Sequence, residues 1–191
     1  MRKIIPFLLV VTACTSLQST PETRARVKSA PDWYLDRPTS NSYIYGVATA
    51  ESQDMNFAIE MAQSMARADI GRQMDIRFTE LQKRFQDQTR VTDGSEMLQQ
   101  FTTAYKQVIS QTLTGVRIKS QNVIPGNGVY VVYSMMEMPI GDANRAFIEN
   151  LRRTEALYTR FRASEMYQEL DNEVRRLDSL RATPLIMPIP R

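Results

Sequence analysis

Residues 42–50, SYIYGVATA, limit what can lie against them more sharply than any other stretch of the chain. Their aromatic and β-branched content predicts a strand. The period of two puts Tyr43, Tyr45, Val47 and Thr49 on one face and the smaller set Ile44, Gly46, Ala48 and Ala50 on the other. A face that small admits a helix at close range, and a helix with a matching surface comes next. From Asp54, an N-cap residue, Met55, Ala58, Ile59, Ala62, Met65, Ala66, Ile70 and Met74 recur at spacings of three and four. Ala58, Ala62 and Ala66 form a ridge of small side chains suited to the strand's small face. The period runs on through Phe78, Leu81 and Phe85, predicting a helix to about residue 88. MDIRF at 74–78 also alternates as a strand does, and Gly71 offers a break, so residues 74–90 read either way.

A second amphipathic helix is expected over 95–113, capped by Ser95 and closed by Gly115, with Leu98, Phe101, Tyr105 and Val108 among its apolar positions. Strands follow at 115–124 and 128–138, joined by the hairpin turn chemistry of PGNG. The fold class is therefore α+β: a small antiparallel sheet of about three strands packed with two helices, plus a long C-terminal helix. The last strand is apolar on both faces, so its second face needs a cover, either the C-terminal helix or a partner protein. Trp33, between Pro31 and Pro38, is read as closing an edge of the core.

Residues 139–183 read as a long charged helix, supported by spacings such as Glu149 to Arg153 and Asp171 to Arg175. Its apolar stripe shifts between Phe161 and Ala163, so the two halves of a straight helix cannot face one surface. Either the second half projects and pairs elsewhere, or the chain packs back through a kink. The tail at 184–191 mixes three prolines with Leu185, Ile186, Met187 and Ile189, and reads as an extended cover, a docking strand or a disordered end.

The chain's first residues look like an export signal. A positive start, Met1 to Lys3, precedes an apolar run from Ile4 to Val11, which at eight residues is too short for a bilayer that needs about 20. Val11-Thr12-Ala13-Cys14 resembles a bacterial lipobox, which implies lipid on the thiol of Cys14 and cleavage just before it. Cys14 is the chain's one cysteine, and two or three acyl chains at about 0.8 kcal/mol per buried CH₂ make a durable anchor. Thr15 follows, rather than the aspartate typical of lipoproteins held back from the outer membrane, so an outer-membrane destination is expected. Residues 15–30 are polar and read as a tether with a reach of roughly 20–25 Å. The expected organisation is thus signal peptide 1–13, lipidated cysteine and tether 14–30, α+β domain 31–138, helix 139–183 and tail 184–191.

The chain contains no histidine, which removes the commonest general base and zinc ligand together. No phosphate cradle, metal-binding helix motif or nucleophile elbow is present. Neither a metal nor a cofactor is expected. The 24 basic residues fall to 22 once Arg2 and Lys3 leave with the signal, against 21 acidic ones, so nothing in the charge favours nucleic acid. Asp69 falls beside the helical apolar stripe and is read as a carboxylate bonded to its helix or to Arg72, with an active-site role as the alternative.

Pro31-Asp32-Trp33, then Tyr45-Gly46-Val47-Ala48, then Ala58, Ala62, Ala66-Arg67 and Ile70, followed by LTGVRIKS and GVYVVYSMMEM, resemble the LPP20-type lipoprotein family over about residues 30–138. The same domain is seen in the flagellar H-ring assembly protein of vibrios. With the lipobox-like Cys14, the resemblance implies a non-enzymatic, outer-membrane-anchored lipoprotein facing the periplasm, with a protein partner in envelope or flagellar assembly. The alternatives are an envelope hydrolase working through carboxylates and a surface-exposed adhesin-like lipoprotein.

Overall fold

The structure, a computed structural model, describes residues 27–90, 92 and 94–182. Cys14, the signal, most of the tether and the proline-rich tail lie outside the described residues. Pro31–Arg191 form one unit and Met1–Ala30 another. In chain order the elements of the Pro31–Arg191 unit are α1 (Asp32–Leu35), β1 (Tyr43–Ser52), α2 (Met55–Thr89), α3 (Glu96–Thr114), β2 (Arg117–Pro125), β3 (Tyr130–Pro139), α4 (Ile140–Leu151), α5 (Glu155–Arg162) and α6 (Glu165–Ala182).

The expected α+β architecture is present. The three strands form an antiparallel sheet in the order β1-β3-β2, with Gly46 opposite Met136 and Ala50 opposite Val132. The hairpin between β2 and β3 turns through Gly128 at φ +78°, where a side chain would be strained. The alanine ridge of α2 lies on the small face of the sheet: Ala58 and Ala62 are fully buried with Ala50 and Val132. Contact is closest at Gly46, where a Cβ would overlap the Ala66 carbonyl oxygen and come within 2.7 Å of Ile70 Cγ1.

Helix α2 starts where predicted, with the Asp54 carboxylate accepting the Phe57 N–H at 3.0 Å. It then runs unbroken past Gly71 to Thr89, so residues 74–89 are helix, and Arg90 ends it in the left-handed region at φ 54°. Its buried face turns along its length: Ala58, Ala62 and Ala66 meet the sheet, whereas Met74, Phe78, Leu81 and Phe85 enter a core built with α3 and α4. There Phe85 stacks on Phe101 at 4.7 Å between ring centres, and Phe147 stands edge-on to Phe101 at 5.1 Å. Ser95 caps α3 by accepting the Leu98 N–H at 3.4 Å.

The C-terminal segment departs from a single rod. It is helical in three pieces, broken at residues 152–154 and 163–164, and ends in the C-terminal helix α6. The breaks fold the chain back, so the second half neither projects nor crosses the open face of the sheet; α6 lies along α4 and α2 with Met166, Leu170 and Leu177 buried. Helices α4 and α6 cross at Gly141, where a Cβ would stand 2.8 Å from Leu177 Cβ. The cover on the second face of the sheet comes instead from α1, whose Tyr34 ring meets Tyr133 edge-on at 4.8 Å. Trp33 is half-buried and stands edge-on to Tyr34 at 6.4 Å.

Candidate interaction surfaces

The carboxylate singled out from the sequence, Asp69, is 8% exposed and fully engaged. Its Oδ2 accepts the Val47 N–H at 3.3 Å and Gln73 Nε2 at 3.1 Å, and lies 3.0 Å from Arg37 Nη2; its Oδ1 accepts Arg72 Nη2 at 2.9 Å. Gln73 Nε2 also donates to the Tyr45 carbonyl at 2.9 Å. Asp69 therefore joins α2, β1 and the segment after α1. A buried carboxylate bonded to donors from separate segments ties those segments together.

A second set of polar side chains fastens α6. Arg77 of α2 forks onto Glu173, whose Oε1 and Oε2 lie 2.5 and 2.6 Å from Nη2, and Asn144 Nδ2 donates to Glu173 Oε2 at 2.5 Å. Arg84 reaches Glu169 at 2.7 Å, Arg145 reaches Asp178 at 2.5 Å, and Arg181 grips Asp142 at 2.6 Å. Beneath this ladder lies a crevice of about 110 Å³ lined by Met74, Phe78, Leu81, Tyr105, Phe147 and Leu170. The Tyr105 hydroxyl donates to the Met74 carbonyl, and burial pushes its pKa well above the ordinary tyrosine value. None of these contacts was foreseen from the sequence. The partners lie far apart along the chain, Arg77–Glu173 and Arg84–Glu169 by about 90 residues, and only the spacing of Arg77 and Arg84, two helical turns, hints that they share a face.

Two surfaces are left open. On one flank of α2, Phe57, Met61, Met65 and Ile76 are exposed, Phe57 at 58% and Ile76 at 63%. The spacing of four between the first three makes them a continuous ridge rather than scattered apolar residues. Of the methionines in the apolar period read from the sequence, Met74 is core, whereas Met55 and Met65 face solvent. The other surface is a shallow cleft of about 390 Å³ between α3 and the α4–α5 junction, lined by polar side chains. Arg153 stands on its rim; α4 ends at Leu151, so the predicted Glu149–Arg153 pair does not form, whereas Asp171–Arg175 does, at 2.8 Å.

Among the described residues no cluster of three or more Cys, Asp or Glu is placed to hold a metal, and no helix is long and apolar enough to cross a membrane. No curated protein and no solved structure matches the chain. The strand–helix–helix–hairpin unit is what a protein-family comparison recovers: the model described as LPP20 lipoprotein matches residues 31–135, and the chain belongs to the LPP20 lipoprotein family.

Proposed function

We propose that this protein is an outer-membrane-anchored lipoprotein facing the periplasm, held by lipid on Cys14, and that its folded unit is a non-enzymatic interaction module in envelope or flagellar assembly. The observation that carries the interaction role is the exposed ridge Phe57, Met61 and Met65 with Ile76 beyond it. Methionine side chains are flexible and polarisable and recur on protein-binding surfaces, and a ridge on a long helix is rigid enough to present them. Family membership supports the lipid anchor. The engagement of Asp69 by four donors, which gives it a structural task, supports reading the unit as a module that binds.

The binding role is tested by placing a photo-crosslinker at Met61 and, as a control, at exposed Arg175, in native membranes. A discrete adduct from position 61, lost on Phe57→Asp, is expected; equal background labelling at both positions would refute the ridge as a contact surface. For the anchor, Cys14→Ala is expected to leave an uncleaved precursor that is absent from the outer-membrane fraction. A variant still cut before residue 14 and still tightly membrane-bound would overturn the assignment.

A further inference from the structure

Helix α3 differs from its neighbours in how it meets solvent. Of its nineteen residues only Glu96 and Lys106 are charged, whereas α6 carries eight charged residues in eighteen. In place of charge, α3 presents Gln99, Gln100, Thr103 and Gln107 on the side that forms one wall of the 390 Å³ cleft. Asn150 and Arg153 form the opposite wall, with the small side chain of Ala104 between them. The one acidic group there, Glu96, already accepts Gln100 Nε2 at 3.1 Å. Gln99 Nε2 donates to the Gly94 carbonyl at 3.1 Å and Thr103 Oγ1 to the Gln99 carbonyl at 2.8 Å, whereas the side chains of Gln107, Asn150 and Arg153 engage no hydrogen-bond or ion-pair partner among the described residues.

This chemistry is selective. A carboxamide donates and accepts at once, as sugar hydroxyls and acetamido groups do, so a wall of glutamines fits a ligand that is polar but uncharged along most of its length. A guanidinium without a carboxylate partner adds a planar fork for an anionic oxygen pair, and a carboxylate fits it in bidentate fashion. The volume falls within the range of about 300–1,000 Å³ for small-ligand sites, enough for one or two sugar units. We propose that the cleft between α3 and the α4–α5 junction binds an acidic glycopeptide, with its N-acetylated sugar against Gln107 and Asn150 and a free peptide carboxylate on Arg153. The polymer of that chemistry within reach of the folded unit is the cell wall; this identification rests on the periplasmic placement proposed above, whereas the cleft's chemistry does not.

The test is sedimentation of the full chain, purified from membranes in detergent, with three insoluble polymers: intact wall sacculi, sacculi stripped of their peptides, and chitin. Co-sedimentation with intact sacculi is expected, at least tenfold weaker on the stripped wall and on chitin. Arg153→Ala is expected to weaken binding to intact sacculi at least tenfold, and Gln107→Ala with Asn150→Ala to do likewise, while Arg153→Lys restores part of it. Both sites are at the surface, and an unchanged melting temperature shows that the fold is kept. Absence of binding to sacculi, equal binding to chitin, or full binding by Arg153→Ala would overturn the proposal. Because the anchor is tested by the fractionation of Cys14→Ala and the cleft by sedimentation, failure of one is distinguishable from failure of the other.

Discussion

Asp69 is the residue on which the sheet and helix are most jointly dependent. Removing its side chain deprives the Val47 N–H, Gln73, Arg37 and Arg72 of a shared acceptor, and a buried donor left without a partner costs about 1–3 kcal/mol. Asp69→Ala is therefore expected to lower unfolding stability by about 3 kcal/mol, measured from the denaturant midpoint, and Asp69→Asn, which keeps one acceptor oxygen, by less. Tyr105 makes a prediction in pH. Its folded-state pKa is raised, mainly by burial, above the ordinary value near 10. Above that pH the unfolded chain sheds the phenolic proton while the folded chain keeps it, so the unfolded state binds fewer protons and stability falls as pH rises. Stability from this source is complete below about pH 10 and lost above it. The melting temperature of Tyr105→Phe should accordingly fall less steeply above that pH than that of the native chain, although the variant starts about 1 kcal/mol less stable for want of the hydrogen bond to Met74. Parallel slopes for the two proteins would show that the phenol ionises without cost to the fold.

At the level of elements, α6 depends on ion pairs of unequal worth. Glu173 is largely buried and bonded by both Arg77 and Asn144, whereas Glu169 and Arg84 are each about half exposed. Exposed pairs contribute about 0–1 kcal/mol, and a half-buried, doubly bonded carboxylate contributes more. Glu173→Gln is thus expected to cost about 2 kcal/mol and to speed amide exchange throughout α6, with Glu169→Gln within about 0.5 kcal/mol of the native chain. These elements also show which features a sequence displays. Helices α2 and α3 were legible because the alanines of the α2 ridge, the Asp54 cap of α2 and the Ser95 cap of α3 are local signals read by their immediate neighbours. The break at 152–154 was not, whereas the one at 163–164 showed as the shift of the apolar stripe between Phe161 and Ala163. No glycine or proline marks them, and the apolar spacing carries through the first; it is Leu151, Leu157 and Phe161, all buried against distant helices, that set the turns. Thr154-Glu155 and Ser164-Glu165 do carry a trace, since a hydroxyl residue followed by an acid is how helices commonly begin. The Arg153 cleft left no local trace at all, because its two walls come from α3 and from a turn created by those same breaks.

Taken whole, the unit is layered unevenly. The sheet and the first half of α2 interlock through alanines with no exposed surface, and the aromatic core joins α2 to α3 and α4. Helix α6 is held at the periphery by three buried apolar residues and the ladder of ion pairs. Local opening draws first on the parts with fewest buried contacts. Native-state hydrogen exchange is expected to show α6 amides opening at lower free energy than those of residues 58–70, and the α6 value dropping further at high salt. Uniform protection across both would mean that the unit unfolds as a single cooperative block.

The bonds that Asp69 and Gln73 make to Val47 and Tyr45 bear on how such molecules behave in company. Strand β1 is an outer strand, and these are main-chain groups at its middle, where a neighbouring molecule would begin to add a strand of its own. Anchored molecules share a plane and meet far more often than free ones, so an unguarded strand would seed sheets running from one molecule to the next. With that stretch already occupied by its own helix, collisions between neighbours lack a template there.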